Sequence, residues 1–335
     1  MKKVLIDFKR TEYDPVIDYI KGLCILFVIW THCMTREELS LILFPFWGDT
    51  AVPIFLIIQA FHCYKKNSDA RIPNIKKLWF RILKPYLILL GCTFILDYFI
   101  YFQDTNGTFD LHLYWQLRGP GSYYIFIYIQ FAFILPLLRP IFNKISQKWY
   151  LLLFLFASQI SEFVFSIANC PDNIYRLTFF RYIFLIYLGY LIAQKGIVIN
   201  KKIIPVIILS IIFIYIFCYT SYDLRPIFCT NHNFWPLCHW VCYFYIAYCV
   251  IGLMKISYGR MADNNLRIVN LIKKIGKYSY EIYLFQIFYF STISIHIGNL
   301  VSSIGNYFTE RTIYVIISTI LCTLPVLYIL RKRYL

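Results

Sequence analysis

Ten apolar segments, separated by short polar stretches, run along the 335-residue chain. Each is long enough to form an α-helix that crosses a hydrocarbon core of about 30 Å. The pattern therefore predicts an all-α fold, a polytopic transmembrane helical bundle of about ten spans in one domain over residues 1–335. The intervening stretches are too short to form a soluble domain. The predicted spans are 16–34, 48–64, 78–102, 121–138, 149–168, 177–194, 203–222, 237–256, 278–297 and 312–330.

The lysines and arginines are distributed unevenly between the two sides of this topology. With the N-terminus inside, the six inner segments hold 24 basic residues and the outer segments hold five. Cytoplasmic loops of membrane proteins carry such an excess. The distribution predicts that both termini are cytoplasmic. No cleavage site follows the first apolar run, so it is expected to remain as a signal-anchor helix.

Composition agrees with a multi-pass protein of the cell membrane. The chain is 60% hydrophobic and 15% charged, whereas soluble domains carry about 25% charged residues. The net charge of +16 does not indicate a nucleic-acid partner, because the basic residues lie between apolar segments and form no single patch. Most cysteines lie within those segments and are expected to act as small hydrophobic residues. The expected partner is the lipid bilayer, and the oligomeric state is left open.

Two ionisable residues, Lys21 and His32, lie within the first predicted span. Their spacing of eleven residues places both on one helix face, about 16 Å apart along the axis. Such groups are costly in a membrane and usually face the bundle interior or a wet cavity. Imidazole is suited to accept a proton near neutral pH. The alternative is that His32 is interfacial and Lys21 extends toward the inner surface.

Further charged residues lie within or beside later spans. Arg81 and Lys84 are near the inner end of the third span, while Glu162 and Arg181 lie in the fifth and sixth. Arg176 precedes the sixth span. Glu162 is expected either to form an ion pair with Arg181 or Arg176, as buried charges usually require, or to line an acceptor site with them.

Five motifs, in order along nearly the whole chain, resemble the integral-membrane acyltransferase-3 family. The first runs from Asp18 through Lys21 and Gly22 to His32, like the family's Asp-x-x-basic-Gly run that leads to a catalytic histidine. The others are Val52–Phe55, Arg81–Tyr86, Gly119–Tyr124 and Gly276–Phe285. Each match is weak alone, and together they are specific.

The resemblance implies transfer of an acyl group, usually acetyl or succinyl, from acyl-coenzyme A to a hydroxyl of a surface glycan or glycolipid. His32 would be the general base, and Lys21 would position the donor or a neighbouring carboxylate. Arg81 and Lys84 would dock the coenzyme A phosphates. Tyr124, Glu162, Arg176 and Arg181 are the candidate acceptor-binding residues. Acyl-coenzyme A is a co-substrate, and no permanently bound cofactor or metal is expected.

The chain departs from the family pattern at several positions. Lys21 and Lys84 stand where most members have arginine, so each keeps the charge without the bidentate fork. Gln286 stands where a histidine often follows the last motif, which argues against a second catalytic histidine there. Gln59-Ala60 replaces a common Ser-Gly pair in the second span.

Two other functions and one metal site are alternatives to this interpretation. A polysaccharide or lipid-linked sugar transporter would also use aromatic and charged residues, although the chain shows no clear internal repeat. A non-catalytic scaffold would give no reason for the charges within the spans. The zinc-capable ligands Cys229, His232, Cys238 and His239 have irregular spacing, which favours a disulfide over a metal there.

Overall fold

The computed structural model describes residues 14–65, 73–104, 121–144, 147–195, 203–232, 239–260, 266–302 and 306–332. These residues form helices, and no strand occurs among them. The α-helices are α1 (Pro15–Cys33), α2 (Arg36–Leu41), α3 (Ala51–Lys65), α4 (Ile75–Leu78), α5 (Lys84–Asp104), α6 (Tyr124–Lys144), α7 (Gln147–Ile167), α8 (Asp172–Arg176), α9 (Ile183–Lys195), α10 (Ile204–Tyr219), α11 (Tyr243–Arg260), α12 (Arg267–Lys277), α13 (Ser279–Phe288), α14 (Ser294–Val301) and α15 (Tyr307–Lys332).

Eight helical stretches in the described part of the chain are long and apolar enough to cross a membrane. They are Pro15–Cys33, Phe44–Lys65, Ile75–Ile95, Tyr124–Phe142, Trp149–Ile167, Trp240–Tyr258, Ser279–Val301 and Tyr307–Leu330. The predicted spans 177–194 and 203–222 contain shorter apolar helices, Phe179–Gln194 and Ile204–Tyr219. The all-helical, multi-pass architecture is confirmed, while the number of spans and the cytoplasmic location of the termini stay predictions.

Helix α1 lies in the middle of the packing and contacts α3, α11, α12, α13 and α15. Asp14 caps it by accepting a hydrogen bond from the Val16 backbone N–H (3.1 Å), and Pro15 occupies the first turn, where a missing N–H costs nothing. Arg311, near the start of α15, donates to the Cys33 carbonyl at 3.1 Å. The indole of Trp30 donates to Thr319 further along α15. The two helices are therefore antiparallel, and the start of α1 and the end of α15 lie on the same side of the bundle.

The amphipathic helix α12 was not anticipated from the sequence, because its eleven residues are too short and too basic to read as a span. It crosses α1 at two glycines. A Cβ atom at Gly276 would lie 1.6 Å from the Asp18 carbonyl oxygen, and one at Gly22 would lie 2.1 Å from the Ile272 carbonyl oxygen. Glycine at both positions lets the two backbones touch, and this contact fixes the helix that carries Lys21 and His32.

Two helices are interrupted by a π-helical turn. Trp79–Leu83 separates α4 from α5, and Tyr289–Ile293 separates α13 from α14. Such turns are rare and occur frequently at functional sites. Here one π turn carries Arg81, and the other carries Phe290, whose ring lies beside that of His32.

Candidate functional site

One continuous cavity of about 2020 Å³ lies along α1, lined by residues from both ends of this helix. Asp14, Asp18 and Lys21 line one end, hereafter the Lys21 end, and His32 and Arg36 line the other, the His32 end. Pockets for drug-sized ligands measure about 300–1,000 Å³. The cavity therefore has room for a large ligand, or for two smaller molecules side by side.

The Lys21 end carries charges of both signs. Lys21 is 25% exposed and forms an ion pair with Asp18 at 2.7 Å, one turn earlier on α1. Arg81 and Lys277 supply two further cations to the lining, and Glu281 supplies a carboxylate. Arg81 and Lys277 therefore join Lys21 as candidates for contact with an anionic group.

Aromatic side chains line the middle of the cavity, and Tyr124 is at their centre. Its ring centroid lies 6.1 Å from that of Phe55, 6.2 Å from that of Tyr128 and 5.6 Å from that of Tyr283. The Tyr283 hydroxyl donates to the Gly121 carbonyl at 2.6 Å, so its polar group is satisfied by the backbone. The aromatic rings that line the cavity offer apolar surface to a ligand.

At the other end, the His32 ring lies 5.6 Å from the ring of Phe290, edge to face. Gly121 faces the same ring: a Cβ atom there would lie 3.8 Å from His32 Nε2. Gly121 has φ +87°, which L side chains rarely adopt. This glycine turn leaves space beside the nitrogen that would accept a proton.

Arg176 lies at the His32 end and lines the cavity with Tyr123. Its guanidinium carbon is 3.9 Å from the centroid of the Tyr123 ring, a close cation–π contact. Arg176 is the last residue of α8, a helix of five residues that lies outside the candidate spans. Asp49 lines the same end and adds a carboxylate that was not predicted from the sequence as a site residue.

The structure brings together five of the eight sequence-predicted site residues and leaves three apart. Lys21, His32, Arg81, Tyr124 and Arg176 line the cavity, whereas the described residues Lys84, Glu162 and Arg181 do not. Lys84 is exposed, with its Nζ atom 5.7 Å from the centroid of the Phe80 ring.

Glu162 and Arg181 belong instead to a buried polar cluster behind α8. Glu162 is 4% exposed and accepts a hydrogen bond from the Thr230 hydroxyl at 3.2 Å. Arg181 is 6% exposed, lies within electrostatic range of Glu162, and has its guanidinium carbon 5.7 Å from the Tyr175 ring. Burial, together with the Glu162 carboxylate, raises the pKa of Tyr175 above its usual value, which keeps the phenol neutral. Of the two interpretations of Glu162, this arrangement favours the structural one.

The zinc-capable residues are used in other ways where the structure describes them. His232 Nδ1 lies 2.8 Å from Asp172 Oδ1, and the His239 ring packs on Phe228 with centroids 4.5 Å apart. Cys238 lies outside the described residues. Within the described ranges, no group of three or more His, Cys, Asp or Glu residues could hold a metal ion.

Comparisons with known proteins give one family and one curated relative. The model of the family described as "Acyltransferase domain" (Acyl_transf_3) matches residues 14–328. The relative is "Putative acetyltransferase ORF330" of Acidianus two-tailed virus, 27% identical over 182 residues, which are 51% of this chain and 54% of the relative. The chain thus spans about half the length of that relative. No solved structure matches.

Proposed function

Because the chain belongs to the acyltransferase-3 family, whose model covers residues 14–328, we propose that it is a membrane O-acyltransferase. It moves an acetyl or succinyl group from acyl-coenzyme A to a hydroxyl of a cell-surface glycan or glycolipid. The name of the viral relative, "Putative acetyltransferase ORF330", favours acetyl. The donor is a co-substrate that leaves as coenzyme A after each turnover, and no cofactor stays bound.

The observation that carries this proposal is the single cavity that contains both Lys21 and His32. Acyl-coenzyme A has its phosphates at one end and its thioester at the other, so it needs cations at one end of a long site and a base at the other. Arg81, Lys21 and Lys277 meet the first need. His32, eleven residues along α1 from Lys21 and about 16 Å away along the axis, meets the second.

In the proposed reaction, His32 Nε2 accepts the proton of the acceptor hydroxyl as that oxygen attacks the thioester carbonyl carbon. A carbon–oxygen bond forms, and the carbonyl π electrons move onto oxygen. When the carbon–sulfur bond breaks, those electrons return and the thiolate leaves. The imidazolium then gives its proton to the sulfur, which restores neutral His32 and releases coenzyme A as a thiol. A positioned general base contributes about 10²–10⁴ in rate.

The donor phosphates are proposed to enter at the Lys21 end, on the cytoplasmic side of the predicted topology. Changing Arg81 to glutamine should raise KM for acetyl-coenzyme A about 10–100-fold, because a hydrogen bond to a charged group contributes about 1.5–3 kcal/mol. kcat should stay within about threefold, since Arg81 is proposed to contact the donor phosphates and not the reacting atoms. Steady-state assays of coenzyme A release over a range of donor concentrations measure both constants.

Lys84→Gln provides the comparison for this prediction. The sequence motif alone predicts a similar rise in KM, whereas the position of Lys84 outside the cavity predicts a much smaller one. Equal effects of the two substitutions would contradict the proposed phosphate site at Arg81.

The activity itself is tested with purified protein in lipid nanodiscs, acetyl-coenzyme A labelled in the acetyl group, and methyl glycosides of common hexoses as probe acceptors. The expected result is a labelled sugar ester and one coenzyme A thiol for each ester. Passage of sugar into sealed proteoliposomes with neither ester nor thiol formed would overturn the proposal in favour of a transporter.

A further inference from the structure

A tetrahedral intermediate formed at His32 carries a negative oxygen, and preorganised donors that stabilise such an oxygen are often the largest single contribution to catalysis. In the proposed reaction His32 is the base and does not itself stabilise this oxygen. The required group must line the His32 end, carry a positive charge or N–H donors, and be held in place before the substrate arrives.

Arg176 meets the requirement of position. It lines the cavity with His32 and lies within electrostatic range of the imidazole. The glycine turn links the two: Gly121 faces His32 Nε2, and Tyr123, two residues later, contacts the Arg176 guanidinium at 3.9 Å. One short stretch of chain therefore contacts both the base and the arginine.

The stacking geometry also suits an oxyanion. A guanidinium that stacks on an aromatic ring uses its face, while its N–H donors lie in the plane at its edge. A face contact of this kind with Tyr123, 3.9 Å from the guanidinium carbon to the ring centroid, would hold the plane of Arg176 and leave its donors at the edge. A lysine in this position would keep the charge but lose both the planar contact and the fork of donors.

The backbone that carries Arg176 is clamped on both sides by residues from distant parts of the chain. At the start of α8, Asp172 Oδ1 lies 2.8 Å from His232 Nδ1. Just beyond Arg176, the side-chain amide of Gln130 on α6 donates to the Leu177 carbonyl at 2.6 Å and accepts from the Phe179 N–H at 2.8 Å. A five-residue helix held at both ends keeps its last side chain in place without help from the substrate.

We propose that Arg176 stabilises the oxyanion of the tetrahedral intermediate formed at His32, and that Gln130 is a positioning residue for it. This inference rests on the proposed acyl transfer. The charge of Arg176 acts most strongly on the carbonyl oxygen while that oxygen holds the extra electron pair, between attack by the acceptor hydroxyl and departure of the thiolate. Its contribution therefore belongs in kcat rather than in binding of the donor.

The test compares Arg176→Gln, Arg176→Lys and Arg225→Gln in the nanodisc assay with acetyl-coenzyme A. Arg176→Gln should lower kcat about 10²–10³-fold, the loss seen when one oxyanion donor is removed, with KM for the donor within about threefold. Arg176→Lys should recover part of the rate. The Arg225 side chain is 41% exposed, pairs with Asp223 at 2.9 Å and does not line the cavity, so Arg225→Gln should match the parent. An unchanged kcat for Arg176→Gln, or a loss confined to KM, would overturn the role of Arg176.

Gln130→Leu tests the positioning role. It should lower kcat by less than Arg176→Gln does, and adding it to Arg176→Gln should cause no further loss, because residues that act as one unit are not additive. A full additional loss in the double variant would overturn the role of Gln130. His232→Phe, which removes the nitrogen that contacts Asp172, gives the same comparison for the other clamp if Gln130→Leu does not fold. A parent protein that forms no ester would instead count against the proposed function.

Discussion

Replacing His32 by alanine should lower kcat for acyl transfer about 10²–10⁴-fold, the contribution of a positioned general base. A sugar hydroxyl is a poor nucleophile, and the substitution removes the group proposed to take its proton. Donor binding should be almost unchanged, since Lys21 lies about 16 Å from His32 along α1 and His32 is not among the proposed phosphate contacts. Rapid-mixing measurements of ester formation in a single turnover, together with equilibrium binding of a non-reactive thioether analogue of acetyl-coenzyme A, separate the two effects.

His296→Ala is the matched control for this experiment. His296 lies on α14, is exposed, and does not line the cavity, so its removal should leave the rate unchanged. A well-folded His32→Ala protein that forms ester at the parent rate would contradict the general-base role of His32. Stable labelling of the parent protein by acetyl-coenzyme A without acceptor, lost in His32→Ala, would instead reveal that His32 carries the acyl group as a nucleophile.

Of the substitutions proposed here, Gly276→Ala should cause the largest loss of stability. Its new methyl group would have to occupy space 1.6 Å from the Asp18 carbonyl oxygen, which belongs to the backbone of α1 and not to a flexible side chain. Overpacking typically costs about 1–3 kcal/mol, and a clash with backbone should reach or exceed the upper end. We expect a lower melting temperature in detergent, measured by the fraction that remains monodisperse after heating.

Gly252→Ala tests whether the effect depends on the helix crossing. Gly252 lies in α11, and a Cβ atom added there would have no neighbouring atom within 4 Å, so alanine should be neutral or stabilise the helix by about 0.5–1 kcal/mol. Equal melting temperatures for Gly276→Ala and the parent protein would show that the backbones of α1 and α12 do not touch at this glycine.

Much of the architecture follows from hydropathy alone, because each predicted span is a continuous apolar run and the structure has an apolar helix in each of the ten places. The position of helix α12 could not be predicted, because it is set by contact with the backbone of α1. The sequence does not show which glycines come together at such a contact. In the predicted spans 177–194 and 203–222, the helices are shorter than the apolar segments of the sequence. Polar or irregular residues occupy the rest of each segment.

Site residues that belong to a sequence motif were predictable, and residues noted only for their charge were less so. The five predicted residues that line the cavity include Lys21, His32, Arg81 and Tyr124, all of which belong to motifs. Glu162 and Arg181 stand out in the sequence only by their charge. A charge within a span indicates a buried partner but does not show which cavity the side chain faces. Lys84 is three residues from Arg81 and would share its face in a regular helix. The wider π turn at Trp79–Leu83 changes that relation.

Because α1 lines both ends of the cavity, it sets the spacing of the two ends of the site. The rise of the helix sets the distance between the phosphate end and the base, and its twist sets the angle between them. Insertion of one residue between Lys21 and His32 would increase their separation by only about 1.5 Å but rotate one relative to the other by more than a quarter of a circle. Angular register along this helix is therefore constrained far more tightly than length. Substitutions between the two residues, other than at Gly22 where α12 crosses, are tolerated more readily than insertions.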